Sequence, residues 1–215
     1  MQRKKKTVRP RQKQSRQPGL EDEMQPRPEA WIKASPQEPK LAGRVAVISG
    51  GDPGVFAMAA AVCEAIEAGP PEWRDIELTV VPGITAMLAV AARIGAPLGH
   101  DFCAINLSDN LKPWAVIEKR LRLAAEADFS IAMYNPRSVS RPEGFGRALA
   151  VLKDAGCGER LVIFARAISA ADEKIETVRL NEATPEMADM RTLVIVGNSQ
   201  TRRVGRWVYA PRQVR

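Results

Sequence analysis

The sequence predicts an α/β protein with two sheets. Short runs of β-branched and aliphatic residues alternate with longer Ala- and Leu-rich stretches that have helical spacing. Clusters of Gly, Pro, Asn and Asp separate these runs and mark the turns between them. Hydrophobic residues make up 45% of the 215 residues and aromatic residues only 5%, so we expect a sizeable, mostly aliphatic core.

The first half of the predicted order is strand, turn, helix, strand and helix. β-branched residues mark both strands, and Ala-rich sequence marks the first helix, which Gly69 and two prolines end. Thr85 suits the N-cap of the second helix because its hydroxyl can accept a hydrogen bond from a backbone amide. The predicted elements are a strand at 45–49, a glycine-rich turn at 50–54, a helix at 55–68, a strand at 76–81 and a helix at 85–94.

The second half continues the alternation. Pro113 suits the start of a helix, and Trp114, Ile117 and Leu121 follow it at helical spacing. Residues 174–180 alternate between apolar and polar, which is typical of an antiparallel strand. The predicted elements are strands at 102–107, 129–134, 161–165, 174–180 and 192–196, and helices from 113, at 142–155 and at 185–190.

The positive charge of the chain is concentrated at its N-terminus. Residues 1–40 hold 11 Lys and Arg against 5 Asp and Glu, whereas the remaining 175 residues hold 21 against 20. This first segment is also rich in proline and poor in apolar residues, so we expect a disordered, solvated tail. A nearly neutral folded part gives no electrostatic reason to predict nucleic-acid binding.

The thiols and the single imidazole do not predict a metal site. Cys63, Cys103 and Cys157 are far apart and form no CxxC pair, and His100 is the only histidine. Three unpaired cysteines are compatible with a reducing cytoplasm. No apolar run is long enough to cross a membrane, and no apolar segment follows the basic N-terminus as in a secretory signal.

The segment VISGGDPGVF at residues 47–56 is a candidate ligand loop. A predicted strand ends there in consecutive glycines and a helix begins, and ligands of open α/β sheets bind outside the carboxyl ends of strands. The segment is neither a phosphate loop of the GxxxxGK[ST] type nor a GxGxxG fingerprint. On its own such a segment is more often an ordinary turn than a binding site.

Further motifs follow this segment in a specific order. They are VPGITAM at 81–87, GAPLGHDF at 95–102, LSD at 107–109 and YNP at 134–136. This order resembles the class III, or tetrapyrrole, methyltransferases, and the resemblance covers about residue 41 to the end. Within the family, HDFCAINLSDNLKPW at 100–114 and YNPRS at 134–138 are similar to members that methylate ring carbon 17.

The resemblance implies two α/β domains with a cofactor cleft between them. We expect a tail at 1–40, a partial N-terminal domain at 41–99 and a C-terminal domain at 100–215. The implied cofactor is S-adenosyl-L-methionine, with S-adenosyl-L-homocysteine as product. The residues that match the cofactor positions of the family are Gly50, Gly51, Asp52, Pro53, Thr85, Ala86, Asn135, Ala165, Arg166 and Gly197.

The implied substrate is a tetrapyrrole, precorrin-3B, methylated at ring carbon 17 with ring contraction in cobalamin biosynthesis. Its carboxylates would need cationic partners, and Lys112, Arg137 and Arg141 lie in or beside the motif loops. His100 could move a proton during ring contraction, or it could cap a turn between the domains. Asp109 could contact the substrate, or it could cap the next helix.

The sequence departs from the family at its beginning. Members start with a strand and a Gly-Pro-rich loop ahead of the strand predicted at 45–49, and here residues 1–40 stand in that place. Because of this departure, two alternatives to a methyltransferase acting at ring carbon 17 stay open. The chain could be a non-catalytic remnant of that enzyme, or it could be another methyltransferase of the corrin pathway. A nucleic-acid-binding module that uses the basic tail is a third alternative. The resemblance also implies a homodimer, without a nucleic-acid or membrane partner.

Overall fold

The structure is a computed structural model that describes residues 46–213. The chain divides into two units, Met1–Val47 and Ile48–Arg215. Of the first unit, only Ala46 and Val47 are described, and both are exposed. The predicted tail at 1–40 therefore lies outside the described residues.

The second unit confirms an α/β fold with two sheets. Its four α-helices are α1 (Met58–Ala68), α2 (Ala86–Ile94), α3 (Trp114–Glu126) and α4 (Gly144–Asp154). Its strands are β1 (Gly95–Ala96), β2 (Phe102–Asn106), β3 (Ser130–Tyr134), β4 (Leu161–Arg166), β5 (Lys174–Arg179), β6 (Thr192–Val196), β7 (Arg202–Val204) and β8 (Trp207–Tyr209). Short 3-10 helices occupy Pro71–Asp75, Leu180–Glu182 and Pro185–Met187.

The main sheet has five strands in the order β2-β3-β6-β4-β5. β2 and β3 are parallel, whereas β6 is antiparallel to both β3 and β4, and β5 is antiparallel to β4. All five residues of β6 are buried because this strand lies at the centre of the sheet with helices on its faces. A second, three-stranded sheet has the order β1-β8-β7.

Two apolar clusters cover the two faces of the main sheet. On one face α3 and α4 pack against the strands, and Ile117 and Leu121 of α3 are fully buried there. Their spacing of four residues puts both side chains on one side of the helix, as the sequence predicted. On the other face α2 contributes Val90 and Ile94 to a cluster with Ile163 and Ile195.

The prediction of strands at 45–49 and 76–81 is wrong, because the described residues of these two segments form no strand. Residues 46–49 and 76–81 have no strand pairing, and Ile48 and Val81 are 79% and 71% exposed. A strand forms only where a neighbour pairs its amides and carbonyls, and residues 46–213 place no strand beside these segments. Helix α1 buries none of its residues for the same reason, since no sheet lies beneath it in the described part.

Most other predicted boundaries hold to within a few residues. Helix α1 begins at Met58 rather than at 55, because Phe56 adopts a positive φ of 53° that a helix does not allow. The helix predicted at 185–190 is one 3-10 turn. Strands β7 and β8 were not predicted. Within residues 46–213, the structure contains no helix of the length and apolar character that crossing a membrane requires.

Candidate functional site

The candidate site lies where the parallel strands β2 and β3 end. In an α/β sheet the loops that follow such strands meet at one edge and form a crevice. Here the 106–113 and 134–141 segments follow β2 and β3, and Tyr134 reaches the N-terminus of α2. The 50–54 and 82–85 loops join the same edge through the contacts described below.

The carboxylate of Asp52 holds two glycine-rich loops together. One of its oxygens, Oδ1, accepts a hydrogen bond from the Gly54 amide at 2.8 Å, and the other, Oδ2, accepts one from the Gly83 amide at 3.0 Å. Gly51 has a φ of +70°, and a Cβ added at Gly83 would collide with the Gly51 carbonyl oxygen. The two loops therefore approach more closely than any side chain at residue 83 would allow.

The remaining residues predicted in this loop have different surroundings. A Cβ added at Gly50 would meet nothing within 4 Å, so its backbone is open to a ligand. The carbonyl of Pro53 accepts a hydrogen bond from the Ala59 amide at 3.0 Å, which anchors the loop to α1. The resemblance implies that both residues contact the cofactor. In the structure Pro53 has the further role of anchoring the loop to α1.

Tyr134 connects the end of β3 to the start of α2. Its hydroxyl lies 2.6 Å from the Thr85 Oγ1 and accepts a hydrogen bond from the Met87 amide at 3.1 Å. The ring of Phe56 packs on the Tyr134 ring with centroids 5.1 Å apart. Thr85 stands at the N-cap position as predicted, but its side chain makes no capping hydrogen bond. The Tyr134 hydroxyl supplies the cap instead, because it satisfies one of the unpaired amides at the helix N-terminus.

Thr85 and Ala86 form the buried floor of this edge. Thr85 is only 4% exposed, and Ala86 is half-buried against the apolar cluster beneath α2. A buried hydroxyl needs a partner, and Tyr134 provides it. Sequence reasoning missed Tyr134 as a functional residue, although it is the first letter of the YNP motif.

Asn135 adopts a left-handed backbone conformation and is held by a neighbouring side chain. It has a φ of +52°, and its Nδ2 donates to the Asn106 Oδ1 at 3.1 Å. The same oxygen accepts from the Ser108 amide at 2.9 Å, so Asn106 joins the two loops. Asn tolerates the left-handed region better than most residues, which agrees with its occurrence here. Asn106 was not predicted as a site residue, although it lies within the HDFCAINLSDNLKPW motif at 100–114.

Ala165 and Arg166 reach the same edge from the end of β4. Arg166 pairs with Thr192 across the sheet, and Ala165 is fully buried. The Arg166 Nε donates to Asp189 at 2.8 Å and its Nη1 donates to Asp172 at 3.0 Å. These hydrogen bonds raise the pKa of Arg166 above its ordinary value. Two carboxylates already occupy this guanidinium, and β5 and β6 pair with both residues on either side of β4.

Gly197 and His100 lie at the opposite edge of the main sheet. Val196, just before Gly197, pairs with Ile131 near the start of β3, and His100 lies two residues before β2. A Cβ added at Gly197 would collide with the Thr201 side chain, which is a packing reason for this glycine. The His100 Nδ1 is 3.7 Å from the Asp101 carboxylate. The structure therefore does not bring these two predicted residues together with the other predicted positions.

The remaining predicted residues lie on the loops that border the site edge. Asp109 is exposed, and Lys112 is half-buried close to it. Burial and the nearby Arg120 lower the pKa of Lys112, although Asp109 acts in the opposite direction. Arg137 and Arg141 are half-buried, and neither forms an ion pair within residues 46–213. Arg137 acts electrostatically on Glu186, as Lys112 does with Asp109, but none of the three cations is held in a salt bridge within residues 46–213.

This edge offers mostly neutral donors and acceptors next to a cationic border. Its groups are the backbone of the glycine loops, two hydroxyls, two side-chain amides and the Asp52 carboxylate, and no cluster of three potential metal ligands occurs in the described chain. Such a site suits a polar organic ligand that lies against the backbone. It also suits a reaction that depends on alignment more than on proton transfer.

Comparisons with known proteins show the family of the chain. The family described as tetrapyrrole (corrin/porphyrin) methylases matches residues 3–184. A precorrin-3B C(17)-methyltransferase from Sinorhizobium sp is 60% identical over 174 residues, which cover 79% of this chain and 68% of the relative. The cobalamin biosynthesis protein CobIJ from Mycobacterium bovis is 47% identical over 165 residues, and the chain spans only 31% of that protein.

Solved structures show the same fold. The crystal structure of the methyltransferase CobJ superimposes with a TM-score of 0.76 at 62% identity, covering 78% of this chain and 70% of that one. A cobalt precorrin-4 methyltransferase, CbiF, matches with a TM-score of 0.52 at 20% identity. The second likeness bears on the fold alone, whereas the first extends to the sequence.

Proposed function

The chain belongs to the tetrapyrrole methylase family, and on that premise we propose that it methylates precorrin-3B at ring carbon 17. The proposed reaction transfers a methyl group from S-adenosyl-L-methionine and is accompanied by ring contraction in cobalamin biosynthesis. The observation that carries the proposal is the joining of the two glycine-rich loops by Asp52 at the edge where β2 and β3 end. The C(17)-methyltransferase from Sinorhizobium sp supports the substrate.

The glycine-rich loops fit the proposed cofactor. The open backbone at Gly50 and the half-buried Asp52 and Pro53 offer polar groups to an amino acid or ribose. When bound, S-adenosyl-L-methionine supplies an electrophilic methyl group on a sulfonium. We propose that Thr85, Ala86 and Asn135 border the cofactor and that residues 165–166 lie beside it at the end of β4.

The chain's own contribution is alignment and exclusion of water. Tyr134 fixes Thr85 and the first turn of α2, and Asn106 fixes Asn135, so the walls of the cleft are held before a ligand arrives. Charge disappears as a sulfonium transfers its methyl group, so a largely neutral cleft suits this reaction better than a charged one. Preorganised walls lower the entropy cost of holding two reactants in line.

We propose that Lys112, Arg137 and Arg141 receive the carboxylates of the tetrapyrrole. They border the site and lack ion-pair partners in the described chain, and Arg forks match carboxylate geometry. Asp109 remains a candidate for substrate contact at the same border. His100 remains a candidate for proton transfer only if the substrate extends to the opposite edge of the sheet. A domain division near residue 99 and a homodimer are likewise parts of the proposal.

Calorimetric titration of the chain with S-adenosyl-L-homocysteine tests the cofactor site. We expect saturable binding that Asp52→Asn weakens by about tenfold, because an amide cannot accept both backbone hydrogen bonds. Asp154→Asn is the matched control, since Asp154 is exposed at the end of α4 and should leave binding unchanged. A folded chain that shows no binding would contradict the proposal and favour the non-catalytic alternative.

Turnover of precorrin-3B tests the reaction itself. We expect the product to gain one methyl group, detected by mass spectrometry, in the presence of S-adenosyl-L-methionine. Methylation of a different corrin intermediate, with precorrin-3B unchanged, would assign the chain to another step of the same family. If the chain binds the cofactor but methylates no corrin intermediate, the proposed cofactor site would stand and the proposed methyl transfer would be refuted.

A further inference from the structure

The C-terminal hairpin formed by β7 and β8 carries an unbalanced positive charge. It and its flanks contain four arginines, and no Asp or Glu occurs between Asn198 and Gln213. None of the four has a carboxylate partner in the described chain, whereas Arg166 of β4 and Arg179 of β5 are both ion-paired. The hairpin arginines are Arg202, Arg203, Arg206 and Arg212.

Two of these arginines line a concave pocket. The pocket has a volume of about 410 Å³, and we call it the hairpin pocket. Its lining includes Ala96, Gly99, Arg202, Tyr209, Ala210 and Arg212. The Arg202 guanidinium lies over the Tyr209 ring at 5.4 Å from the centroid, which restrains it at the pocket wall.

The floor of the hairpin pocket is fixed by backbone hydrogen bonds. The amides of Gly99 and Ala210 both donate to the Ala96 carbonyl, at 3.0 and 2.9 Å. A Cβ added at Gly99 would meet the Ala210 carbonyl oxygen at 2.9 Å, so the two segments are in close contact. The part of the pocket formed by Ala96, Gly99 and Ala210 is therefore built on a fixed backbone.

The hairpin pocket is separate from the candidate cofactor site. Helix α2 runs from Thr85 at the cofactor edge to Gly95 at the hairpin, and its nine residues span about 13 Å. Strand β2 runs back in the opposite sense, from Phe102 near the hairpin pocket to Asn106 at the cofactor edge. The pocket thus lies at the edge of the sheet opposite to the glycine-rich loops.

We infer that the hairpin pocket is a second binding site, which takes a small molecule through a carboxylate or phosphate group. Arg202 and Arg212 supply guanidinium groups that pair with such oxyanions in a bidentate manner. The Tyr209 ring offers an apolar surface to the rest of the ligand. Asp101, two positions after Gly99 of the pocket, lies 3.7 Å from the His100 Nδ1 and forms no salt bridge with either arginine. This site is independent of the proposed methyl transfer.

Amide NMR of the full chain labelled with nitrogen-15 tests the inference. The chain is titrated with inorganic phosphate and, separately, with tricarballylate, at constant ionic strength. We expect saturable shifts at the amides of Ala96, Gly99 and Ala210, and tighter binding of one probe identifies phosphate or carboxylate as the preferred group. The double variant Arg202→Gln with Arg212→Gln should weaken binding by about tenfold or more.

Arg206→Gln is the matched control, because the Arg206 guanidinium lies over Trp207 and does not line the hairpin pocket. The Arg206→Gln variant should bind the probes as tightly as the parent chain does. This result would distinguish binding in the hairpin pocket from general attraction of anions to the positively charged hairpin. Shifts that do not saturate with either probe, or equal weakening by Arg206→Gln, would overturn the inference. Titration with S-adenosyl-L-homocysteine should be unaffected by the double variant, and a loss there would overturn the separation of the two sites.

Discussion

Replacing Tyr134 by Phe removes one hydroxyl from the centre of the candidate site. The ring stays, so its packing against Phe56 is kept. The Met87 amide loses its acceptor, and the Thr85 hydroxyl, in a residue only 4% exposed, loses its partner. A buried group without a partner costs about 1–3 kcal/mol, and Tyr134 is half-buried, so we expect a loss of stability of about 1–2 kcal/mol.

The same substitution should weaken binding of S-adenosyl-L-homocysteine by about tenfold, which corresponds to about 1.4 kcal/mol. The reason is that Thr85 and the first turn of α2 would no longer be fixed before the ligand binds. Urea unfolding measures the first effect and calorimetric titration measures the second. Thr177→Val is the control, since it removes a half-buried hydroxyl of β5 and should change stability by less than about 0.5 kcal/mol.

A double-mutant cycle with Thr85→Val isolates the hydroxyl pair. If the 2.6 Å contact stabilises the fold, the two substitutions together should cost about 1 kcal/mol less than the sum of their separate costs. Strict additivity would refute the reasoning, because it would mean that the two hydroxyls act independently. Unchanged stability and unchanged affinity in Tyr134→Phe would refute it as well.

Three further predictions concern the loops, the core and the surface charges. Gly83→Ala should abolish measurable cofactor binding in titration while the chain stays folded by circular dichroism, because the added Cβ collides with Gly51. Leu121→Ala should lower the free energy of unfolding by about 2–5 kcal/mol in urea titration, since Leu121 is fully buried in the core. Arg191, followed by Arg166, lowers the pKa of Asp172 from 3.8 to about 2. The stabilisation by Asp172 is therefore complete above pH 3.8 and lost as pH falls towards 2, and Asp172→Asn should reduce this acid dependence of unfolding.

Elements with a strong local pattern were predicted correctly. The β-branched run at 192–196 became the central strand, and the spacing of Trp114, Ile117 and Leu121 became the buried side of α3. The segment 76–81 has an equally apolar pattern but is not a strand, because pairing depends on a neighbour that composition does not reveal. The hairpin of β7 and β8 carried a signal that was overlooked, since Gly205 separates two short alternating runs.

The parts of the site that lie in sequence motifs were predictable. The contacts between residues far apart along the chain were not. The glycine loops follow from the resemblance, whereas the contact between Tyr134 and Thr85 joins residues 49 positions apart. Asn106 likewise acquires its role from Asn135, 29 positions away. Such pairs depend on strand register, and sequence patterns along one chain do not fix register between distant strands.

The central position of β6 has a consequence for synthesis of the chain. β2 with β3, and β4 with β5, can pair among themselves as soon as they leave the ribosome, but only residues 192–196 join the two pairs. Until β6 is in place, the unpaired backbone groups of β3 and β4 are exposed. Such unpaired strands can pair with other chains, so they favour aggregation of a nascent chain. A translational stall or a proteolytic cut just before residue 192 would therefore leave two half-sheets and not a sheet that lacks one border strand.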